Sequence, residues 1–343
     1  MTHFDYLKRI EKLQKAVSNT SAGFAALGGS DKVDSNAYYY TGDTAFPSLL
    51  IATSSSTTLY TCQDTSRFNF VQAKPVGEFK KDFKKLVSKK SKSVAVDLRA
   101  DFAAQMCVRL QKKNKKVVDF SPALLELRAI KEPKEIHLIK KAQKITNACL
   151  REARTQWACG KLFGKTENYA AGLCEKKARD LDAALDAFPP MVLSGSRASL
   201  FHNSTSNKRI SKKEVVLFDV GARDDYYCGD ASTTFYEGTD RQVKDALIAV
   251  KEAMKAAMKK ARPGASAKTL TKTALQVLRQ YGFKNNTFSD AHLAIGHFVG
   301  LDVHDGGGLR NQVLKKGMCF TIEPGVYVPG KFGVRFEDVV VLE

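Results

Sequence analysis

No stretch of this chain is apolar for long enough to cross a bilayer as a helix, which excludes a helical membrane protein. No Cys-x-x-Cys pair occurs among its seven cysteines, at 62, 107, 149, 159, 174, 228 and 319. Scattered and odd in number, they exclude a disulfide framework and a thiolate zinc site and point to a reducing cytoplasm. The opening MTHFDYLKRIEKLQKAV has the pattern of a charged amphipathic helix and not of a secretory leader. Short-period repeats and low-complexity tracts are missing. So are an RNP-like aromatic strand, a zinc finger and an arginine-rich arm, so no dedicated nucleic-acid module is expected. Acid is scarce beside base: 36 Asp and Glu face 55 Lys and Arg, a net charge of +19. The excess is spread along the chain, densest at Lys89-Lys90-Ser91-Lys92 and Lys112-Lys113-Asn114-Lys115-Lys116. It reads as a solvated surface before it reads as a polyanion site. Histidine is scarce too, with six in all, of which His202, His297 and His304 stand near acidic motifs.

What is present suits a soluble globular protein: 343 residues, 43% apolar and 27% charged. That length predicts two domains. In the first third, helical patterns near 4–18, 77–89 and 101–113 flank strand-like runs. NAYYYTGDTAFPSLLIATSSSTTLYTC reads as two or three strands turning at Gly42-Asp43 and at Ser54-Ser55-Ser56, and SVAVDLRA as another strand. The reading is a small α/β domain with a mixed sheet, residues 1–125. A boundary falls in SPALLELRAIKEPKE, and residues 126–343 form the second domain. There, Pro133 opens a helix expected to run to about Cys149, striped by Ile136, Ile139, Ala142, Ile145 and Cys149. Further helices are expected near 165–182, 240–262 and 266–280, with strand hairpins between them. The second domain is therefore α+β.

Two stretches of that domain carry mirrored acids. In VVLFDVGARDDYYCGDASTTF, Asp219 and Asp230 lie symmetrically about Asp224-Asp225. In CFTIEPGVYVPGKFGVRFEDVVVL, Glu323 and Glu337 lie symmetrically about Gly330. Each stretch reads as a β-hairpin. Residues directly opposite on such a pair have Cβ atoms ~5 Å apart, so facing carboxylates repel unless a proton or a metal separates them. One such pair is as readily a solvated hairpin mouth as a site. Two pairs, each among apolar strand residues, favour two divalent cations. His297, in the Gly-punctuated AHLAIGHFVGLDVHD, supplies an imidazole ligand, and oxygen-rich ligands with one nitrogen suit Mn, Fe, Co or Zn.

These residues resemble the pita-bread metallopeptidases, in the Xaa-Pro dipeptidase (prolidase) and aminopeptidase P branch. The resemblance rests on FDVGARDDYYCGDASTTF, GHFVGLDVHD, GMCFTIEPGVY and GVRFEDVVV, with LRAIKEPKEIHLIKKAQ and YYYTGDTAF, and covers nearly the whole chain. It implies a creatinase/aminopeptidase-like catalytic domain after a smaller creatinase/prolidase-type domain. It implies a metal set of Asp219, Asp230, His297, Glu323 and Glu337. Asp219 would be terminal on one ion, Asp230 and Glu337 would bridge, and His297 and Glu323 would serve the other. The nucleophile would be a water or hydroxide between two divalent ions, manganese favoured, with Glu323 relaying its proton. His304 and His202 would contact the scissile carbonyl or the intermediate. Tyr327 would line a proline pocket, and Arg335 would orient a carboxylate ligand or the substrate's carboxyl end. An Xaa-Pro dipeptide or short peptide is the implied substrate, and a homodimer the implied assembly. Gly229 and Thr233 stand where relatives often carry Ser and Arg, and Leu293 where many carry His, with His292 one position off. Gly306-Gly307-Gly308 stands where many have a proline-containing loop.

The leading expectation is hydrolysis of the bond before proline in dipeptides. The alternatives are an aminopeptidase P acting on longer Xaa-Pro peptides, and a non-catalytic basic homologue that binds nucleic acid. Five intact ligands count against the latter and against a metal-free creatinase-like hydrolase. The large first domain counts against a methionine aminopeptidase.

Overall fold

The computed structural model describes residues 4–88, 91–184, 187–306 and 308–343. The chain forms two compact units, Met1–Arg128 and Ala129–Glu343.

The first unit contains helices α1 (Tyr6–Ser18), α2 (Ser35–Thr41), α3 (Phe79–Ser88), α4 (Ala103–Gln111) and α5 (Ser121–Ala129). Its strands are β1 (Ala25–Gly29), β2 (Ser48–Ala52), β3 (Thr57–Thr61), β4 (Gln72–Pro75), β5 (Ser93–Val96) and β6 (Lys116–Asp119). They form one sheet in the order β4-β3-β2-β1-β5-β6. The β1–β2 and β2–β3 pairs are antiparallel, whereas β1–β5, β3–β4 and β5–β6 are parallel, so the sheet is mixed. Phe24, Ile51, Val94 and Val96 pack beneath Val87 of α3 and Met106 and Leu110 of α4.

One expected strand is a helix. Asn36–Thr41 belongs to α2, because Asp34 caps it by accepting from the backbone N–H groups of Asn36 and Ala37. Gly42, at φ 71°, ends it by returning its N–H to the Tyr38 carbonyl. Tyr38, Tyr39 and Tyr40 are all buried, which a half-exposed strand would not allow. Lys112, Lys113 and Lys116 are exposed at the α4–β6 turn, while Lys89 and Lys90 lie outside the described residues.

The second unit begins with α6 (Pro133–Ala158) and α7 (Glu167–Arg179). Strands β7 (Met191–Ser194), β8 (Val216–Val220), β9 (Arg223–Asp224), β10 (Tyr227–Cys228) and β11 (Ala231–Phe235) follow. Then come α8 (Arg241–Lys260), α9 (Ala267–Gln280), β12 (Cys319–Ile322), β13 (Gly325–Val328), β14 (Phe332–Arg335) and β15 (Asp338–Val341). Helix α6 outruns its expected end at Cys149. Its buried stripe continues through Ala153 and Trp157, and no breaker intervenes before Gly160 at φ 71°. Among the described residues, α6 and α7 cover the β8–β11 side through Cys149, Cys174, Phe218 and Ala231. The α8–α9 pair covers the other side through Ala253, Leu270, Phe320 and Val334. A run of small residues on α8 (Ala246, Ala249, Ala253 and Ala257) admits that close packing.

The first acidic hairpin is shifted from its expected register. Strand β8 pairs with β11 so that Asp219 faces Ser232, and the sum of paired numbers holds through Tyr227↔Asp224. The turn is Asp225-Tyr226, both at positive φ (43° and 69°), the signature of a two-residue hairpin turn. Asp230 is therefore diagonal to Asp219 and not opposite it. The shift is two residues, so both side chains keep the same face. In the second hairpin, Gly325↔Arg335 and Ile322↔Asp338 pair in the register centred on Gly330. Glu323 and Glu337 face each other at the gap between the two ladder segments.

Candidate metal centre

Asp219, Asp230, His297 and Glu337 are all at least nine-tenths buried, and Glu323 is partly open. The imidazole of His297 is the hub. Its Nδ1 lies 3.2 Å from the Phe298 carbonyl, which turns Nε2 toward the acids. Nε2 lies 3.3 Å from Asp230 Oδ2, 3.5 Å from Glu323 Oε1 and 4.0 Å from Glu337 Oε1. The His297 backbone is fixed too, with its N–H donating to Thr321 Oγ1 and its carbonyl accepting from Thr321 N–H.

Burial, then the charges of Asp219 and Glu323, raise Asp230 to about 7 against the opposing pull of His297. Burial, then Asp230, Glu323 and Asp219, push Glu337 well above the carboxylate range. Burial alone would lower His297, but its hydrogen bond to Asp230 and the nearby carboxylate charges lift it to about 9. So much negative charge in one buried place is held by protons when no cation neutralises it. Ligating atoms of Asp230, His297 and Glu337 lie within 4.8 Å of one another. Asp219 Oδ1 and Asp230 Oδ1 are buried without a hydrogen-bond partner. Orphaned carboxylate oxygens beside an imidazole fit divalent cations of the Mn, Fe, Co and Zn group.

Arg335 ties the centre to its frame and is 1% exposed. It donates to Asp219 Oδ2 through Nη2, to Ser232 Oγ through Nε at 2.9 Å, and to the Phe201 carbonyl through Nη1 at 2.9 Å. Ser232 in turn donates to Glu337 Oε2. Arg335 thus orients Asp219, the first of its two expected roles, and it does not line the cavity beside the centre. Tyr327 is also displaced from its expected place. It is 4% exposed, its hydroxyl accepts from Arg335 Nη1 at 3.3 Å, and its ring packs on Phe201 behind the cavity wall. His292 is exposed at φ 60° and does not line the cavity, and Leu293 packs on the core. Gly307 of the expected glycine loop lies outside the described residues.

The cavity measures about 330 Å³, and all four acids and His297 line it. His202 and His304 stand at its open rim. The His304 ring lies 4.2 Å from that of His297, centre to centre. Desolvation, then His297 and His202, lower His304 below its ordinary value; desolvation, then Arg335, lower His202. Both are therefore neutral near pH 7, each with one N–H to donate and one nitrogen to accept.

Sequence reasoning missed three parts of the site. Phe188, Pro189, Pro190 and Met191 form an apolar wall, whose only signal was a Pro-Pro pair among apolar residues. Gln143 on α6 accepts from Asp230 N–H at 2.8 Å and donates to its carbonyl at 2.9 Å, fixing that residue's backbone. A glutamine inside an apolar helical stripe was its signal. Buried Lys131 and Asp305, the residue that follows His304 in the chain, form a 3.1 Å ion pair. Gly229 is explained by the same contact as Gln143: a Cβ there would lie 2.7 Å from Gln143 N, so a side chain would push α6 away.

Known proteins share the sequence and fold of this chain. Residues 137–343 match the model of metallopeptidase family M24, and residues 9–130 that of the creatinase/prolidase N-terminal domain. The chain is 32% identical over 320 residues to an Xaa-Pro dipeptidase of Pyrococcus horikoshii, covering 90% of this chain and 87% of that one. It is 29% identical over 343 residues to that of Pyrococcus furiosus, covering 98% and 95%. Prolidase from Thermococcus sibiricus superposes with a TM-score of 0.84 at 30% identity, over 100% of this chain and 95% of that one. An X-Pro aminopeptidase from Thermotoga maritima does so at 0.79 and 26%, over 97% and 94%.

Proposed function

Because the chain belongs to metallopeptidase family M24, with a creatinase/prolidase-type domain followed in sequence by a pita-bread catalytic domain, we propose that it hydrolyses the peptide bond before proline in Xaa-Pro dipeptides. The observation that carries this reading is the convergence of Asp219, Asp230, His297, Glu323 and Glu337 on one small cavity. These five residues would hold two divalent ions, manganese favoured. The ions would supply Lewis-acid polarisation of the scissile carbonyl and acidify a water.

This chain's own groups account for the rest. Arg335 presents Asp219, and Gln143 fixes Asp230. Glu323, the most open of the four acids, is placed to take a proton from the attacking water and return it to the leaving nitrogen. His202 and His304, neutral at the rim, donate hydrogen bonds to the oxygen that gains charge. The Phe188–Met191 wall offers apolar surface to a proline ring.

A cavity of about 330 Å³ is at the small end of ligand pockets, which favours a dipeptide. Arg335 is committed to Asp219, Ser232 and Phe201, so it is not the group that reads a free carboxylate. That leaves longer Xaa-Pro peptides as the second reading. Release of amino acids from Xaa-Pro and Xaa-Pro-Yaa peptides, with manganese, cobalt, zinc or iron, separates the two. No cleavage of either with any ion sinks the proposal. Seven free cysteines support a cytoplasmic location, and the homodimer implied by the family resemblance is open to analytical ultracentrifugation. No described helix is long and apolar enough to cross a membrane.

A further inference from the structure

The segment carrying His202 is closed at its neck by one buried carboxylate that takes no part in the centre. Glu167, at the first turn of α7, has a fully buried side chain. Its two oxygens accept from five donors on that segment. Ser194 approaches Oε1 through N at 2.7 Å and Oγ at 2.9 Å. Arg197 Nε lies 3.0 Å from Oε2. Ser206 approaches Oε2 through N at 3.1 Å and Oγ at 2.7 Å. Backbone bonds from Glu167 N to the Lys208 carbonyl and from Asn168 N to the Ser206 carbonyl tie the same neck.

Between those ends the chain makes a short helical turn and then Phe201 at φ 40°, a conformation that a bulky residue holds only under constraint. His202 follows at once. The constraint is a pair of arginines, one on each side. Arg335 holds the Phe201 carbonyl, and Arg197 Nη2 holds the Ser204 carbonyl at 2.6 Å. Arg197 is itself held by Glu167. His202, Asn203, Ser204 and Thr205 line the cavity. Gly195 marks how tightly the neck is drawn, since a Cβ there would lie 1.9 Å from Glu214 Oε2.

We infer that Glu167 is a positioning residue: through Arg197 and Ser206 it sets where His202 stands over the cavity, with the Asn203–Thr205 rim beside it. The inference rests on the proposed peptidase reading for its catalytic consequence, but the tie itself can be read without it. Misplacing a reacting group by about 1 Å costs ~100-fold. Glu167→Gln puts an amide donor where Ser194 and Arg197 need an acceptor. It should lower kcat by about 10- to 100-fold with KM and bound metal nearly unchanged. His202→Ala should lower kcat comparably, and the double variant should be no more than about threefold worse than His202→Ala alone. Independent losses that multiply would show general damage and overturn the inference, as would a Glu167→Gln enzyme of normal kcat.

The arm that needs no activity is trypsin cleavage after Arg197, followed by mass spectrometry. It should be about tenfold faster in Glu167→Gln than in the unaltered chain, and an equal rate overturns the inference. If the unaltered chain cleaves no Xaa-Pro peptide, the proposed function fails while this arm still decides the tie. If Glu167→Gln does not fold, Ser206→Ala takes its place. It should show a smaller kcat loss that vanishes in the His202→Ala background; no loss, or an undiminished one, overturns the inference.

Discussion

Removing the cations should make the stability of the catalytic unit fall as pH rises. The perturbation is exhaustive chelation of the folded protein. In the stripped centre Asp230 is raised to about 7 and His297 to about 9, and burial raises Glu337 well above its ordinary value. All three folded values lie above the unfolded ones. Each group therefore contributes stability that is fully present below its unfolded pKa and lost as pH climbs through its folded pKa. For Asp230 the window runs from about 4 to about 7, and for His297 from about 6.5 to about 9. A shift of three units in Asp230 corresponds to about 4 kcal/mol, and each proton held only by the folded state gives a slope of about 1.4 kcal/mol per pH unit. In a unit of this size about 4 kcal/mol moves the melting midpoint by roughly 10 °C. The assay is thermal unfolding in chelator at pH 5, 6, 7 and 8, following the transition that responds to added manganese. With manganese the ion takes the place of the protons, so the midpoint should rise at pH 8, rise little at pH 5, and depend weakly on pH between. The double variant Asp230→Asn, Glu337→Gln should flatten the slope in chelator. A chelated protein whose midpoint is level or rising between pH 5 and 8 would refute the account of the centre as one held by protons.

Asp230→Asn should lower metal content and peptidase turnover together, measured by elemental analysis beside proline release. His304→Ala should keep the metal while turnover falls by about 100- to 10,000-fold; full turnover would remove His304 from the chemistry. Arg335→Met leaves Asp219 buried without its cation partner and should cost about 3–5 kcal/mol in denaturant unfolding, against less than about 1 kcal/mol if the pair were a surface contact. Gly229→Ala drives a methyl group into the α6 backbone and should cost about 1–3 kcal/mol, with weaker metal retention because Gln143 then loses its grip on Asp230.

The acids were legible because each sits in an apolar strand beside a turn, where an unpaired charge has no packing reason to be. The second hairpin was legible to the residue, since Gly330 marks its centre. The first was not, because Asp224-Asp225 and Asp225-Tyr226 are equally plausible turns on paper. The choice fell to the backbone, which placed positive φ at Asp225 and Tyr226. The three consecutive tyrosines of α2 carry strand propensity, and the Asp34 cap with Gly42 overrode it. Glu167 and Arg197 were illegible for another reason, and the glutamine in an apolar stripe at Gln143 did not reveal its partner. Each works on a partner that the fold, and not the local sequence, brings near: Gln143 on Asp230, and Glu167 on Ser194 and Ser206. The roles of Tyr327 and Arg335 came from the family resemblance; the hold of Arg335 on Asp219 is one of them, and the absence of both side chains from the cavity lining is a property of packing alone.

The displaced register of the first hairpin has a consequence for how this site tolerates change. Asp219 faces Ser232 where the mirror arithmetic put it opposite Asp230, yet the carboxylates still meet, because an even offset returns every side chain to its own face. What the site requires of that hairpin is parity. A slip of the two strands by two residues preserves it, while a slip of one exchanges Asp230 for a neighbour, Gly229 or Ala231, that can bind nothing. Sequences able to hold the ions are thus expected to vary in length at this turn only where the register of the two strands stays or moves by an even number.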